Sequence, residues 1–150
     1  MNISYRKAQP EDAHECLVLR SKTRQNAFSI AQLEAIGVTH ESWKQGIESG
    51  ELPGYVCLDD DTIVGYCFGE KQTGEIVVLA TLPNYENLGI GKELLARVVC
   101  DFKKLGHKSL FLGCSDDPNS RSYGFYRHLG WRSTGKRDSH QDEILELLLS

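Results

Sequence analysis

Residues 74–105 read GEIVVLATLPNYENLGIGKELLARVVCDFKKL, and this stretch predicts a strand, a sharp bend and a helix. Ile76 to Leu82 form a nearly continuous apolar run of strand length, which is typical of a strand covered on both faces. Pro83 and Asn84 end the run. We therefore predict a central strand that leads at once into a helix.

The helix after the bend is predicted from apolar residues that recur at helical spacing, with most of the charged residues on the opposite face. Gly106 follows the last turn, where a glycine commonly ends a helix. The helix should therefore press one apolar face against the sheet. The residues of that face are Leu94, Leu95, Val98, Val99, Phe102 and Leu105.

The bend, Asn87 to Lys92, predicts an anion site. Gly89 and Gly91 leave backbone N–H groups bare where the helix begins, and no Cβ blocks the approach of a ligand. The helix dipole and Lys92 add positive charge suited to a phosphate or pyrophosphate. The nucleotide phosphate loop, G-x-x-x-x-G-K-[ST], is excluded because acids stand at its first-glycine and Ser/Thr positions. A dinucleotide fingerprint is excluded because its third glycine is missing.

Residues 81–95, TLPNYENLGIGKELL, resemble motif A of the GCN5-related N-acetyltransferase (GNAT) superfamily, roughly V-x-P-x-Y-[QR]-x-x-G-x-[GA]-x-x-L-L. Two positions depart from the pattern: Thr81 replaces valine, and Glu86 replaces glutamine or arginine. An acid beside a pyrophosphate site is unfavourable unless its side chain turns away. We therefore expect Glu86 to face away and cap backbone amides, leaving the phosphates to main-chain N–H groups.

A second block, residues 119–131, resembles the N-x6-Y-x3-G-[FW] segment of the same superfamily, with both spacings kept. Asp117-Pro118 should open a helix over Asn119 to Leu129, which Gly130 caps. On that helix Asn119, Tyr123 and Tyr126 would share a face. The first strand and helix, Ile3 to Ala8 and then 10–13, extend the resemblance over most of the chain.

The resemblance implies a general acid at Tyr126, beside the sulfur of the coenzyme. The alternative for Tyr126 is an amphipathic core aromatic, and Tyr123 is a weaker candidate for the acid. Glu75 stands where the histone acetyltransferase branch carries its general base, although a solvated carboxylate at the strand end is an equal alternative and Glu70 could replace it. Cys114 is interpreted as a core residue because direct transfer needs no acyl-enzyme.

Composition limits the other possibilities. The 150 residues suit a single domain over 1–150, with 40% hydrophobic and 25% charged residues. A net charge of −4 disfavours binding to nucleic acid or an anionic membrane and mildly favours a cationic amine. The five cysteines form no C-x-x-C pair and suggest reduced core thiols, and the five scattered histidines predict no metal site. No apolar run reaches membrane-spanning length and no signal peptide is evident, so we expect a cytoplasmic protein.

The remaining segments predict further helices and strands. Ser29 to Gln32 form a capping box, with Phe28 and Leu33 as its hydrophobic staple, after a polar stretch from Lys22 to Asn26. Thr39 should cap a helix whose inner face holds Trp43 and Ile47. Strands are predicted at Tyr55–Leu58 and Thr62–Gly69 as a hairpin, at Ser109–Cys114, at Arg132–Lys136, and at Glu143–Leu149 as a largely buried final strand.

These features together predict an α/β fold with a mixed, mostly antiparallel sheet, in which parallel strands at 76–82 and 109–114 splay apart to form a coenzyme cleft. The resemblance implies acetyl transfer from acetyl-CoA to a primary amine of a small molecule, by direct attack in a ternary complex. Strand-edge groups at Leu79 to Thr81 would bind the pantetheine arm and polarise the thioester. The expected coenzyme contacts are Leu79, Ala80, Thr81, Asn87, Leu88, Gly89, Ile90, Gly91, Lys92, Asn119 and Tyr126.

Two other functions remain open at this point. One is a coenzyme-binding sensor or interaction module without catalysis, to which the unusual Glu86 gives weight. The other is acetylation of a protein N-terminus or lysine, which needs an open acceptor groove. The oligomeric state is also open, with a homodimer as one alternative.

Overall fold

The computed structural model describes residues 1–23 and 29–150, so the predicted staple residue Phe28 and part of the polar stretch Lys22–Asn26 lie outside the described residues. The helices are α1 Ala13–Arg20, α2 Ile30–Ala35, α3 His40–Ser49, α4 Ile90–Lys104 and α5 Arg121–His128. The strands are β1 Ile3–Lys7, β2 Gly54–Asp59, β3 Thr62–Glu70, β4 Glu75–Thr81, β5 Ser109–Cys114, β6 Arg132–Arg137 and β7 Glu143–Leu148. Short 3-10 helices at Pro10–Asp12 and Pro83–Tyr85 precede α1 and follow β4.

Within the described ranges, one sheet of seven strands has the order β1-β2-β3-β4-β5-β7-β6. Neighbouring strands are antiparallel except β4 and β5, which are parallel. The predicted α/β fold with a mixed, mostly antiparallel sheet is confirmed. The hairpin of β2 and β3, the capping box at Ser29 and the N-cap at Thr39 are confirmed as well.

The parallel pair of strands separates soon after it meets. In the described part of the chain, β4 and β5 pair at a single position, Glu75 with Phe111. On its other edge, where it pairs with β3, β4 carries a bulge. Phe68 pairs with Val78 and Gly69 pairs with Ile76, so Val77 lies between two paired residues without a register partner of its own. The rest of β4 therefore leaves its β5-side edge open, which is the splay that the sequence predicted.

Helices cover the two faces of the sheet unequally. On one face α4 packs Leu94, Leu95, Val98 and Phe102, all at most 2% exposed, against the strands. The close approach needs Gly69, where a Cβ would collide with the Phe102 ring. The other face is covered by α1 and α3 over β2, β3 and β4.

Burial differs from the predictions at several positions. Val77 on β4 is 38% exposed, so the prediction that this strand is covered on both faces is wrong, because the strand opens into the splay. The prediction of a largely buried last strand is wrong too. Leu148 is 75% exposed, since it lies on the opposite face of β7 from the buried Leu145 and outside the described core clusters. Leu105 is 50% exposed because it lies beyond the last residue of α4.

All five cysteines are free, but Cys100 is exposed rather than in the core. No helix in residues 1–23 and 29–150 combines the length and apolar character that crossing a bilayer requires. Among the same residues, no cluster of three or more His, Cys, Asp or Glu side chains could hold a metal ion.

Candidate active site

A cleft lies where β4 and β5 separate, between the first turn of α4 and the helix α5. Its volume is about 370 Å³, within the ~300–1,000 Å³ usual for ligand pockets. Residues from β4, the bend, α4 and α5 all contribute to its surface. They are Leu79, Thr81, Tyr85, Glu86, Asn87, Gly89, Ile90, Gly91, Lys92, Arg121, Ser122, Phe125 and Tyr126.

The first turn of α4 presents backbone donors to this cleft. Gly89 is the N-cap residue, with a left-handed φ of 79° and no side-chain capping bond. The amide of Glu93 bonds to the Gly89 carbonyl oxygen at 3.1 Å, so the amides of residues 90–92 precede the first intrahelical bond. With Lys92 beside them and the helix dipole behind them, these amides are suited to binding an anion.

Gly91 keeps the cleft open. A Cβ built at this position would lie 3.5 Å from Cζ of Phe125 and 3.7 Å from a Leu79 methyl group. These distances are ordinary contacts, so a small side chain would fit. A larger one would fill the space between Leu79 and Phe125, so the glycine keeps this part of the cleft open.

Tyr126 is packed between aromatic rings at the inner end of the cleft. Its ring packs edge-on against Phe125 and Trp131, at centroid distances of 5.1 and 5.9 Å. The side chain is 9% exposed, and burial raises the pKa of its hydroxyl above the usual value. The phenol is therefore neutral at physiological pH and can donate a proton.

A smaller cavity of about 120 Å³ adjoins the cleft across the gap between β4 and β5. Leu79, Ser122 and Tyr126 line both cavities, so the two meet at Tyr126. Arg20 of α1 and Asp142 line the smaller cavity, and sequence reasoning missed both. No motif marks them, because they come from distant parts of the chain.

Glu75 is the first residue of β4 and is partly buried. It pairs directly with Glu70 of β3, which places the two carboxylates on one face of the sheet. The pKa of Glu75 is raised by burial first and then by the negative charges of Glu70 and Asp138. Glu75 lies outside the lining of both cavities, two residues before Val77, which lines the smaller one.

Glu86 does not face away from the cleft as expected. It lines the cavity, and its Oε1 atom lies 3.8 Å from Nε of Arg121, the first residue of α5. The negative charge of Glu86 is therefore compensated by an ion pair across the cleft. Sequence reasoning missed Arg121, because the two residues belong to different motifs.

Several predicted contacts lie outside the cleft lining. Asn119 precedes α5, which begins at Arg121, so it does not share a helical face with Tyr123 and Tyr126. The Tyr123 ring lies under the Arg127 guanidinium, whose Cζ atom is 3.7 Å from the ring centroid. Tyr123 lines neither cavity. Ala80 is buried against α1 and α3, on the opposite face of the sheet from α4. Leu88 is 49% exposed and is not part of the cleft lining.

Comparison with known proteins identifies the family of this chain. A family model described as the acetyltransferase (GNAT) family matches residues 15–131. The chain belongs to this family. Members of the GNAT family are acetyl-CoA-dependent acetyltransferases. No curated protein sequence matches the chain.

Solved structures share the fold at low sequence identity. PaiA N-acetyltransferase from Thermoplasma acidophilum, in complex with coenzyme A, has a TM-score of 0.82 at 22% identity, with 99% of this chain and 100% of that one covered. YncA from Salmonella typhimurium, with acetyl-CoA, has a TM-score of 0.73 at 15% identity, covering 100% and 95%. The ribosomal-protein-S18-alanine N-acetyltransferase from Escherichia coli has a TM-score of 0.73 at 14% identity, covering 99% and 94%.

Proposed function

We propose that this GNAT protein transfers the acetyl group of acetyl-CoA to a primary amine of a small molecule. The observation that carries the proposal is one continuous gap between β4 and β5. At one end it has the uncapped amides of α4, and at the other the buried phenol of Tyr126. A phosphate-bearing thioester fits this arrangement, because its pyrophosphate and its sulfur would lie at opposite ends.

The chemistry needs proton transfers from the nitrogen and to the sulfur. The amine nitrogen attacks the thioester carbonyl carbon, the carbon–sulfur bond breaks, and the departing thiolate takes a proton from the Tyr126 hydroxyl. The nitrogen, which carries an extra proton after the attack, gives it up directly or through water and so restores the Tyr126 hydroxyl. The acceptor ammonium must first lose a proton, which we assign to Glu75, directly or through water. A carboxylate whose pKa is raised is a better base than an ordinary one, and Glu75 has this property.

The acidic side chains near the smaller cavity, whose lining also includes Arg20, support a cationic acceptor. Asp142 lines that cavity, and Asp138 packs against Gly113 of its wall. Burial and the charge of Asp138 raise the pKa of Asp142. Glu70 and Glu75 lie on β3 and β4 nearby, so an amine carrying a second positive charge would be attracted to this side of the sheet.

The test is a thiol-release assay with acetyl-CoA and a panel of polyamines, amino acids, aminoglycosides and peptides. We expect turnover with small amines, and a loss of about 10²–10⁴-fold in kcat for Glu75→Gln. Glu48→Gln, on the exposed face of α3, is the matched control and should keep full activity.

Other outcomes separate the alternatives. Turnover with peptides alone would replace the small-molecule acceptor by a protein one. Coenzyme A binding without thiol release from any amine would favour the non-catalytic sensor. Full activity of Glu75→Gln would remove the assignment of the base.

A further inference from the structure

A further cavity, which we call the α4-end cavity, lies at the C-terminal end of α4, away from the cleft. It forms where the ends of β1, α3 and α4 meet the start of β2. Its volume is about 390 Å³, within the ~300–1,000 Å³ usual for ligand pockets. It shares no lining residue with the cleft or with the smaller cavity beside Tyr126, so acetyl transfer uses no part of it.

Backbone hydrogen bonds tie the walls of the α4-end cavity together. The amide of Ala8, just after β1, donates to the carbonyl oxygen of Gly54 in β2 at 2.9 Å. The amide of Leu52 donates to the carbonyl oxygen of Gly46 in α3 at 3.0 Å. This contact needs a glycine at position 46, because a Cβ there would collide with the Leu52 side chain. The cavity is therefore formed by connected elements of the fold.

The interior of the α4-end cavity is mainly aliphatic. Ile47 and Leu52 pack only partly against the neighbouring core cluster, and Leu105 is 50% exposed. Covering such side chains with an apolar ligand gains roughly 25 cal/mol for each Å² removed from water. The aliphatic residues of the lining are Ala8, Ile47, Leu52, Pro53 and Leu105.

The charged residues of the lining are Lys7, Lys71, Lys104 and Asp101. Three positive charges and one negative charge give a formal sum of +2, whereas the whole chain carries −4. Asp101 is already engaged, because its Oδ2 accepts a hydrogen bond from the Tyr55 hydroxyl at 3.0 Å and lies 3.7 Å from Nζ of Lys7. Neither Lys71 nor Lys104 forms an ion pair with another described residue.

The lysines come together from three separate elements. Lys104 belongs to the last turn of α4, where the helix dipole favours a cation, and so does Lys103, which lies outside the lining. The dipole does not account for the other two, because Lys7 ends β1 and Lys71 follows β3. A positive rim around an aliphatic interior is thus a feature of the folded arrangement.

We propose that the α4-end cavity binds a small organic anion, a carboxylate with an aliphatic body. The body would cover the aliphatic side chains, and the carboxylate would lie among the three lysines. An amine would instead meet three cations and a carboxylate that is already paired. An anion without a body would leave the apolar surface uncovered. The inference does not depend on the proposed function.

The experiment is a titration of the ¹⁵N-labelled full chain with octanoate, below its micelle-forming concentration, followed by amide shifts in NMR. We expect the shifts to concentrate at Gly50, Gly54 and Leu105, while the amides of Gly89 and Gly91 at the cleft stay in place. Octanol keeps the body without the charge, octylamine reverses the charge, and acetate keeps the charge without the body. Each should bind at least about fivefold more weakly than octanoate.

Charge variants test the rim. Lys71→Gln and Lys104→Gln should each weaken octanoate binding by about two- to fivefold, the size of one partly exposed ion pair. The double variant should lose more than either. Lys103→Gln is the matched control, because it makes the same change in the same helical turn outside the lining. Thermal melting should show that all four variants are folded.

Several outcomes would overturn the inference. One is the absence of shifts at the α4-end cavity, or shifts at the cleft alone. Another is equal or tighter binding of octanol or octylamine, which would show that the lysines do not select the ligand. An equal loss in Lys103→Gln and Lys104→Gln would indicate a general effect of surface charge. Shifts at the same amides on raising the protein concentration without octanoate would assign the cavity to a second copy of the chain.

Discussion

The two sides of the cleft are built differently. The α4 side, formed by β4, the bend and the first turn of α4, contributes uncapped backbone amides and two glycines beside its side chains. The α5 side offers side chains, namely Arg121, Ser122, Phe125 and Tyr126. A backbone surface tolerates most changes of side chain but depends on the space above it. A side-chain surface depends on individual atoms.

The two sides also differ in their support. α4 is a 15-residue helix anchored in the core by Leu94 and Phe102, which are 0% exposed. α5 has eight residues, and Tyr126 is its buried member. Substitutions on α4 should thus leave the cleft in place, whereas those on α5 risk shifting it. This difference orders the predictions below by size.

The largest effect is expected from Tyr126→Phe on the α5 side. The variant loses the hydroxyl that protonates the departing thiolate while keeping the ring contacts with Phe125 and Trp131. We predict a loss of about 10²–10⁴-fold in kcat with little change in coenzyme A affinity, measured by steady-state kinetics and calorimetry.

Tyr123→Phe is the matched control, because its ring lies under Arg127 and outside the cleft lining. It should retain nearly full activity. A larger loss in Tyr123→Phe would move the acid one turn back along α5. Equal losses with weaker coenzyme binding would indicate that this face of α5 acts in packing.

The difference between the two sides also explains what the sequence could predict. The strand, bend and helix at 74–105 are local features, fixed by hydrophobic periodicity and by glycines, and they were predicted closely. Tyr126 was predicted to lie at the site because a spacing pattern marks it, and it lines the cleft. The bulge at Val77 and the exposure of Leu148 were missed, because they depend on which strands pair and which faces receive a helix.

The same limit applies to the charges of the cleft. Glu86 was expected to turn away because its partner, Arg121, lies on a later helix, at an unspecified position of a different motif. Arg20 and Asp142 enter the smaller cavity from opposite ends of the chain. Contacts between distant segments follow from the folded arrangement, so a single sequence gives little sign of them.

The second prediction concerns Gly91 on the α4 side. Gly91→Val would place a branched side chain between Leu79 and Phe125, where even a Cβ would already be in contact. We predict that coenzyme A affinity falls by at least about tenfold, ~1.4 kcal/mol, while the fold survives. Gly124→Val is the matched control, because a Cβ on this α5 glycine meets nothing within 4 Å. Unchanged affinity in a folded Gly91→Val variant would mean that the coenzyme lies elsewhere.

A third prediction, also on the α4 side, separates the effect of steric obstruction from the effect of backbone conformation. A Cβ on Gly89 meets nothing within 4 Å, but its φ of +79° is unfavourable for other residues. Gly89→Ala should cost about 1–2 kcal/mol of unfolding free energy in urea titrations. It should also weaken coenzyme binding less than Gly91→Val does.

Gly106→Ala is the control for this strain. Gly106 follows the C-terminus of α4, has a φ of +93°, and likewise has open space around its Cβ position. It should lose comparable stability with no change in coenzyme affinity. An equal affinity loss in both variants would show that the bend acts through helix stability and not through its amides.

The smallest effect is expected at the far end of β4, where Glu75 is the one candidate catalytic side chain on the α4 side. Its pKa is raised by burial first and by Glu70 second, so Glu70→Gln removes only the lesser cause. Removing a negative neighbour favours the charged form of Glu75, which lowers its pKa. Since a base acts when deprotonated, the acid limb of the pH profile of kcat/KM should move to lower pH in this variant. Glu51→Gln, an exposed acid before β2, should leave the limb in place. A limb that moved to higher pH would show that Glu75 does not set it. If Glu70→Gln instead lowered kcat as much as Glu75→Gln is expected to, Glu70 would itself be the base.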